Sequence, residues 1–443
     1  MKKNSFYLVS LGCAKNTVDS DSIAALLQRE GYSIVTKPSQ AEVMIVNTCG
    51  FIEPARQESI GVLSELAAQK KPGQLLIAAG CLSELFREKL AESVNGIDGI
   101  IGTRRWMDMP DLVKSLRRDP LKPRYHLPEA PEIGRDEKGI ARVSLQGASA
   151  YLKIADGCRR PCAYCSIPLI KGPQVSRPTE SILRDAEILQ DNGVQELILI
   201  SQDTTDYGSD LGMKDGLVRL LEDLLPRIPQ IPWVRILYAY PGYVTDGLID
   251  IMSDAPQVLP YLDMPLQHAS PQVLRAMKRP SNMEWVHSTI GKMRARIPGL
   301  ALRTTFIVGY PGESDADFQM LVDFIRKVEF DHLGVFPFSF ESGTASAPLG
   351  DPIAEEEKLN RVEELMTLQE SISLKRNQQQ IGKTFDVLIE GYGDEISVGR
   401  SYRDAPEIDG LVIVEDELEV GVISRVEITG ALKHDLIGRA VAD

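Results

Sequence analysis

The chain opens with short apolar runs that alternate with stretches whose apolar positions recur every three or four residues. Residues 6–11, 43–46 and 75–79 are mostly apolar runs too short for helices, and they read as buried strands. Helical spacing follows each one. Ile23, Leu26 and Leu27 share a face, with Gly31 placed to end that helix, and further helices are predicted over 54–69 and 84–94. Such alternation implies a parallel sheet with helices on its faces. Residues 119–139, DPLKPRYHLPEAPEIGRDEKG, carry four prolines and mixed charge and read as a linker. Beyond it the βα pattern repeats about six times, with strands predicted at 151–155, 196–201, 234–238, 261–264, 302–308 and 332–338. Amphipathic helices fill the gaps, for example 182–189, 217–225 and 318–328. Six units suggest an open, partial relative of the eight-unit barrel; a doubly wound sheet is the alternative from pattern alone. A helix over 355–374 follows. From residue 382 glycines and alternating apolar residues suggest a small β-barrel.

The predicted architecture is therefore α/β in three parts. An N-terminal parallel-sheet domain (1–118) leads through a linker (119–141) to a partial (βα)6 barrel (142–375) and a small C-terminal β-barrel (376–443). No apolar run approaches the roughly 20 residues that span a bilayer. The start, MKKNSFYLVSLGC, imitates a lipoprotein signal, but its apolar stretch is short and Ser10 stands where leucine is wanted. A cytoplasmic location is expected. The net charge of −14, from 49 Lys and Arg against 63 Asp and Glu, disfavours general nucleic-acid affinity and favours basic partners.

Six cysteines are too few for a disulfide scaffold of this length. Their contexts say more. Cys158, Cys162 and Cys165 stand in ADGCRRPCAYCSIP with CxxxCxxC spacing, directly after the first predicted strand of the barrel. Barrel active sites gather at that end of the strands. Structural zinc wants four ligands, whereas three thiols without a nearby histidine suit a cubane cluster with one iron left open. This motif, with the aromatic Tyr164 before the last cysteine, resembles the radical-SAM superfamily. The resemblance implies that the open iron chelates S-adenosylmethionine and that its reductive cleavage releases a hydrogen-abstracting 5′-deoxyadenosyl radical.

Cys13, Cys49 and Cys81 lie in SLGCAKN, VNTCGF and AAGCLS, each after a predicted strand of the first domain. Parallel strands would bring all three to one carboxyl edge, where open α/β sheets bind ligands. The adjoining Gly12, Gly50 and Gly80 would let backbone pass close to a cluster. Three core thiols in turns are the plainer alternative. The whole arrangement resembles the methylthiotransferase family. That resemblance implies two 4Fe–4S clusters, one making the radical and one taking part in sulfur insertion, with a second S-adenosylmethionine as methyl donor. It also implies a low-potential electron donor such as flavodoxin or ferredoxin.

The family divides between tRNA adenosine and an aspartate of the twelfth small-subunit ribosomal protein. LGCAKNTVDSD, NTCGFIEPARQES, YLKIADGC, SQDTTDYG, YLDMPLQHAS and LRTTFIVGYPGES are similar to the ribosomal-protein branch. The C-terminal segment resembles a TRAM domain, a fold commonly used to bind RNA. Here residues 382–443 hold six Lys and Arg against fourteen Asp and Glu, a net of −8, while the other 381 residues carry −6. Such a surface repels phosphate and would dock a basic ribosomal protein; no direct nucleic-acid substrate is expected. A tRNA substrate, or a non-catalytic cluster module docking on ribosomes, are the alternatives.

At the predicted barrel mouth, Gln202, Gln267 and Arg303, with Tyr164, are candidate contacts for the cofactor or the target aspartate, and Asp203 adjoins them. Arg303 could pair with a carboxylate bidentately. GYPGE at 309–313 resembles a family turn near the adenosyl group, and His268 reads as a satisfied barrel histidine.

Overall fold

The apolar runs at the start of the chain form the middle of a six-stranded, wholly parallel sheet. Its order is Ser33–Ile34, Ser5–Ser10, Val43–Thr48, Leu75–Gly80, Gly99–Gly102, Arg124–His126. The computed structural model describes residues 2–119, 123–128 and 138–441. Val43–Thr48 and Leu75–Gly80 are buried along their whole length, as strands covered on both faces must be. Helix Ala14–Arg29 lays Ile23, Leu26 and Leu27 against Phe6, Val43, Ile45 and Ile77. Leu63 and Leu66 of helix Glu53–Gln69 cover Met44, Val46, Leu76 and Ala78.

Two expectations are corrected in this sheet. The helix predicted over 84–94 is two short ones, Cys81–Phe86 and Lys89–Ser93, because Arg87 leaves the helical region with φ +53 and its guanidinium donates to the Leu127 carbonyl. Within the stretch read as linker, Arg124–His126 pairs with Gly99–Ile101 as an edge strand. Residues 120–122 and 129–137 of that stretch lie outside the described residues.

The chain divides into two units. One comprises Met1–Ser144, Tyr151–Arg160 and Cys165–Asp185; the other comprises Leu145–Ala150, Pro161–Tyr164 and Ala186–Asp443. The second unit carries the parallel strands Glu196–Ile200, Trp233–Ile236, Val258–Asp263, Ala301–Val308 and His332–Pro337, adjacent in chain order. Five of the six strands of the predicted partial barrel thus lie in this unit; Tyr151–Lys153, in the stretch predicted as the first, belongs to the other unit. The C-terminal part of the second unit is a closed barrel in the order Thr384–Gly393, Ile396–Ser401, Val412–Val414, Leu436–Ala440, Ile423–Ala431. Val387, Ile389, Val412, Val414, Val426 and Ile428 fill it. Closure removes the edges that such short strands would otherwise expose.

Buried ion pairs fix this barrel within its unit. Glu196 accepts from Arg235 Nε and from Arg400 Nη2, both at 2.6 Å, and all three side chains are inaccessible to solvent or nearly so. Arg403 and Arg376 converge on Asp331. Burial by itself would raise the Glu196 pKa, but the guanidiniums of Arg235 and Arg400 outweigh it and hold the carboxyl at about 2. A depressed carboxylate pKa contributes stability above its ordinary value and loses it as pH falls towards the folded value. The window is therefore between the ordinary 4.5 and about 2, and the contribution at neutral pH is about 3 kcal/mol. Glu196→Gln takes the carboxylate from buried Arg235 and leaves Arg400 with Glu390 alone, and it should cost about 3–5 kcal/mol in urea denaturation at pH 7. That gap from the parent should narrow as pH falls through the window; a gap independent of pH would count against this assignment.

Candidate metal centres

Cys13 caps helix Ala14–Arg29, Cys49 follows strand Val43–Thr48, and Cys81 opens Cys81–Phe86 immediately after strand Leu75–Gly80. The registers Ser10–Asn47 and Thr48–Gly80 place all three at one carboxyl edge of the first sheet. Gly12 has φ +91, and a Cβ there would stand 2.8 Å from Cys49 Sγ, so only glycine lets these two loops meet. A buried polar web holds them. Asn16 Nδ2 donates to the Leu11 carbonyl at 2.6 Å and the Asn47 carbonyl at 3.1 Å, and Asn47 Nδ2 donates to Asn16 O at 2.9 Å and Ser20 Oγ at 2.8 Å. Ser59 Oγ accepts from Cys49 N and donates to Cys49 O, both at 3.0 Å. Asn16 and Asn47 went unnoticed in the sequence although both sit inside the quoted cysteine motifs.

The thiols differ in character. Burial opposes ionisation of Cys13, but Lys15, the amides of Asn16 and Lys15, and Lys171 outweigh it and lower its pKa. Burial raises that of Cys49. Burial pushes Cys81 up to about 12, with Lys171 opposing and the charges of Cys13 and Cys49 adding to the rise. Mutual repulsion among three neighbouring thiolates is what a bound metal centre relieves. Among the described residues no three His, Cys, Asp or Glu side chains converge so as to hold a metal ion. A four-iron cluster takes each thiolate on a separate iron, and a donor set of thiols alone fits it.

In the second motif Gly157 has φ +75, and a Cβ there would fall 2.1 Å from the Pro173 carbonyl. Cys158 N donates to Gly172 O at 3.0 Å, Arg160 N approaches Cys158 Sγ at 3.4 Å, and Ala155–Asp156 pairs antiparallel with Val175–Ser176. Cys165 precedes Ser166, the cap of helix Ile167–Lys171. In the second unit, Arg279 Nη1 donates to Cys162 Sγ at 3.6 Å, and the Tyr240 hydroxyl lies 3.8 Å from the same sulfur. The Arg279 guanidinium stacks 4.1 Å from the Tyr240 ring centroid. A charge-assisted donor on a sulfur suits a thiolate ligand. Arg279 and Tyr240 carry no motif, and only tertiary structure brings them to Cys162.

Tyr164 packs against the cluster of Val273, Met277, Tyr310 and Phe338. Gln202 follows strand Glu196–Ile200, and its Oε1 is buried with no hydrogen-bond partner among the described residues. An orphaned acceptor at a barrel mouth fits a ligand donor such as the amino group of S-adenosylmethionine. Asp203 is buried and accepts from Thr205 Oγ1 at 2.6 Å. Gln267 is held in the left-handed region, φ +74, by backbone bonds to Thr305 and Ile307, both 2.8 Å. Arg303 lies near the start of strand Ala301–Val308, and its donors meet Asp263 at 3.1 Å and Asp409 at 3.2 Å. Its guanidinium thus links the partial barrel to the closed barrel's Asp409 rather than standing free for a ligand carboxylate. His268 is fully buried; its Nδ1 accepts from Ser270 N at 2.9 Å and its Nε2 is 3.4 Å from Glu313 Oε2. Glu313 in turn ties the 309–313 turn to Arg361 at 2.6 Å.

The family model of the radical SAM superfamily matches residues 152–325, that of the TRAM domain matches 381–441, and that of the uncharacterized protein family UPF0004 matches 5–102. A "Ribosomal protein uS12 methylthiotransferase RimO" from Chloroflexus aurantiacus is 43% identical, over 99% of this chain and 100% of its own. One of the same name from Aquifex aeolicus is 43% identical, over 98% and 96%. The chain belongs to the RimO methylthiotransferase family. RimO-family membership covers the full set of parts, since the relatives align from end to end. The radical S-adenosylmethionine methyltransferase TsrM from Kitasatospora setae shares the fold, with TM-score 0.56 at 14% identity over 78% of this chain and 77% of that one. The cobalamin-dependent radical enzyme OxsB aligns with TM-score 0.53 at 11% identity, over 81% and 56%. The chain is accordingly a radical-SAM transferase, and 4Fe–4S clusters and S-adenosylmethionine are its cofactors. No described helix is long and apolar enough to cross a membrane.

Proposed function

We propose that the enzyme attaches a methylthio group to the β-carbon of an aspartate in ribosomal protein uS12. The observation that carries this reading is identity of 40–43% over nearly the whole chain to proteins of that name. Cys13, Cys49 and Cys81 would hold one cluster, in residues 1–118, and Cys158, Cys162 and Cys165 the other, at the head of residues 142–375. When bound, the clusters and S-adenosylmethionine supply the electron, the hydrogen-abstracting radical, the sulfur chemistry and the methyl group. Arg279 and Tyr240 orient Cys162, Gln202 offers its buried oxygen to the cofactor, and Tyr164 seals its loop against apolar neighbours. The apolar packing there excludes water from a reactive radical.

The closed barrel, residues 376–443 on this reading, supplies the docking surface. Two of the six cations in residues 382–443, Arg400 and Arg403, are buried in ion pairs with Glu196 and Asp331. The barrel's exposed face keeps the acidic balance of its composition, with Asp394, Glu395, Glu407, Glu417 and Glu419 outward. That charge favours a basic protein over RNA and speaks for uS12 against tRNA. Glu417→Lys with Glu419→Lys should raise KM for uS12 roughly fivefold with kcat unchanged, since exposed charges act on encounter. Steady-state kinetics at two salt concentrations measures this, and an unchanged KM would remove the docking role. The protein is read as cytoplasmic, with a flavodoxin or ferredoxin as electron donor.

The deciding experiment offers reduced, reconstituted enzyme both uS12 and tRNA, with mass spectrometry of each. A methylthio group on an aspartate of uS12 is expected; modification of tRNA alone would overturn the assignment.

A further inference from the structure

A buried set of charges lies in the first unit behind the N-terminal cysteines. Lys171 Nζ donates to Asp19 Oδ2 at 2.7 Å and to Thr103 Oγ1 at 2.6 Å. Lys153 Nζ reaches Asp19 Oδ1 and Asp156 Oδ1, each at 2.6 Å. Arg142 also meets Asp19, and stands 3.4 Å from Asp156. Three cations thus face two carboxylates, and all but Asp156 are almost wholly inaccessible. The neighbouring buried carboxylates have cations of their own: Glu84 has Arg87 and Arg104 about it, and Asp185 has Arg177 at 2.6 Å. A surplus positive charge in such a place is costly unless an anion answers it.

The placement shows where that anion belongs. Strand register pairs Gly80 with Gly102, which sets Cys81 and Thr103 level at the carboxyl edge of the sheet. Lys171 bonds Thr103 there, and its charge acts on both Cys81 and Cys13. Lys153 is instead engaged by Asp19 and Asp156, each at 2.6 Å. Lys171 also ends the helix that starts just after Cys165, and the next residue, Gly172, accepts from Cys158 N. One lysine is therefore anchored to the second motif by its backbone and to the first by its ammonium.

We infer that Lys171 is a charge-compensating positioning residue of the Cys13–Cys49–Cys81 site, whose buried ammonium favours the more negative, one-electron-reduced state of a cluster held there. This rests on the reading that those cysteines hold a cluster. A 4Fe–4S centre on three thiolates carries net negative charge, and reduction adds one more. A fixed cation nearby lowers the cost of that electron, and burial of the Lys171 ammonium limits screening by water. Lys171→Met leaves two cations against two carboxylates, a balanced set that the interior tolerates.

The test uses the full chain with Cys158→Ala, Cys162→Ala and Cys165→Ala, so that the N-terminal site is the only source of signal. Midpoint potentials are read by EPR during mediated redox titration, together with iron content and thermal melting. Lys171→Met should lower the ratio of reduced to oxidised cluster at fixed potential about tenfold, equal to about 59 mV for one electron. Lys171→Arg should restore most of it, and Lys153→Met should shift it less. Iron bound at parental level with an unmoved potential, or equal shifts for Lys171→Met and Lys153→Met, would overturn this role and leave the cluster assignment standing. No iron in the parent background would overturn the cluster assignment itself. If Lys171→Met fails to fold, Lys171→Gln takes its place under the same criteria.

Discussion

Replacing Cys158, Cys162 or Cys165 by alanine is expected to abolish cleavage of S-adenosylmethionine to 5′-deoxyadenosine, taking it to the uncatalysed background. On the proposed assignment the three thiols are the whole protein ligand set in the motif, and a cubane with one iron open to the cofactor has no ligand to spare. The local fold would survive the change. Gly157, the Cys158 N–Gly172 O bond and the Ala155–Asp156 pairing are all backbone features, and Ala163 is held by backbone bonds to Met277 and Ser346 at 2.8 Å. Anaerobic turnover with dithionite, followed by chromatography of the nucleoside, measures the effect. Retained cleavage in any of the three variants would remove that cysteine from the ligand set.

Cys13→Ala should behave differently. Cleavage of S-adenosylmethionine should stay close to the parent, while methylthiolated uS12 falls to background. Cys13 caps helix Ala14–Arg29 at the carboxyl edge of the first sheet, and on the proposed assignment it belongs to a different donor set from Cys158, Cys162 and Cys165. Its loss opens one corner of the thiol site without touching the web of Asn16, Asn47 and Ser59 that shapes the loops. Mass spectrometry of uS12 beside nucleoside analysis of the same reaction gives both readings. Loss of both activities together would mean that the two sites act as one; undiminished product would exclude Cys13 from sulfur insertion.

Much of this was legible in the chain. The strands of the first sheet are continuous apolar runs because both faces are covered, and the cysteines follow them directly, so parallel topology alone aligned Cys13, Cys49 and Cys81. The CxxxCxxC motif is local and needs no fold to be read. What stayed hidden was tertiary. Gly99–Gly102 is too short to show a period, and Arg124–His126 takes its strand form only from the edge it joins. Arg303 is a plausible mouth residue by sequence position, but its place near the start of its strand gives it to Asp263 and Asp409. Arg279 and Tyr240 reach Cys162 from more than seventy residues away in sequence. Lys171 looks like an ordinary lysine at the end of a short helix until Asp19 and Thr103 are seen around it.

The division of six cysteines into two separate cluster sites is the centre of this account, and iron counting with Mössbauer spectroscopy tests it most directly. The measurement compares the parent chain with two triple variants, Cys13/Cys49/Cys81→Ala and Cys158/Cys162/Cys165→Ala, each reconstituted anaerobically. The expected result is two clusters' worth of iron in the parent and one cluster's worth in each variant, with the two variant spectra summing to that of the parent. A parent holding only one cluster's iron, or an N-terminal triple variant that keeps the parent's full complement, would contradict it.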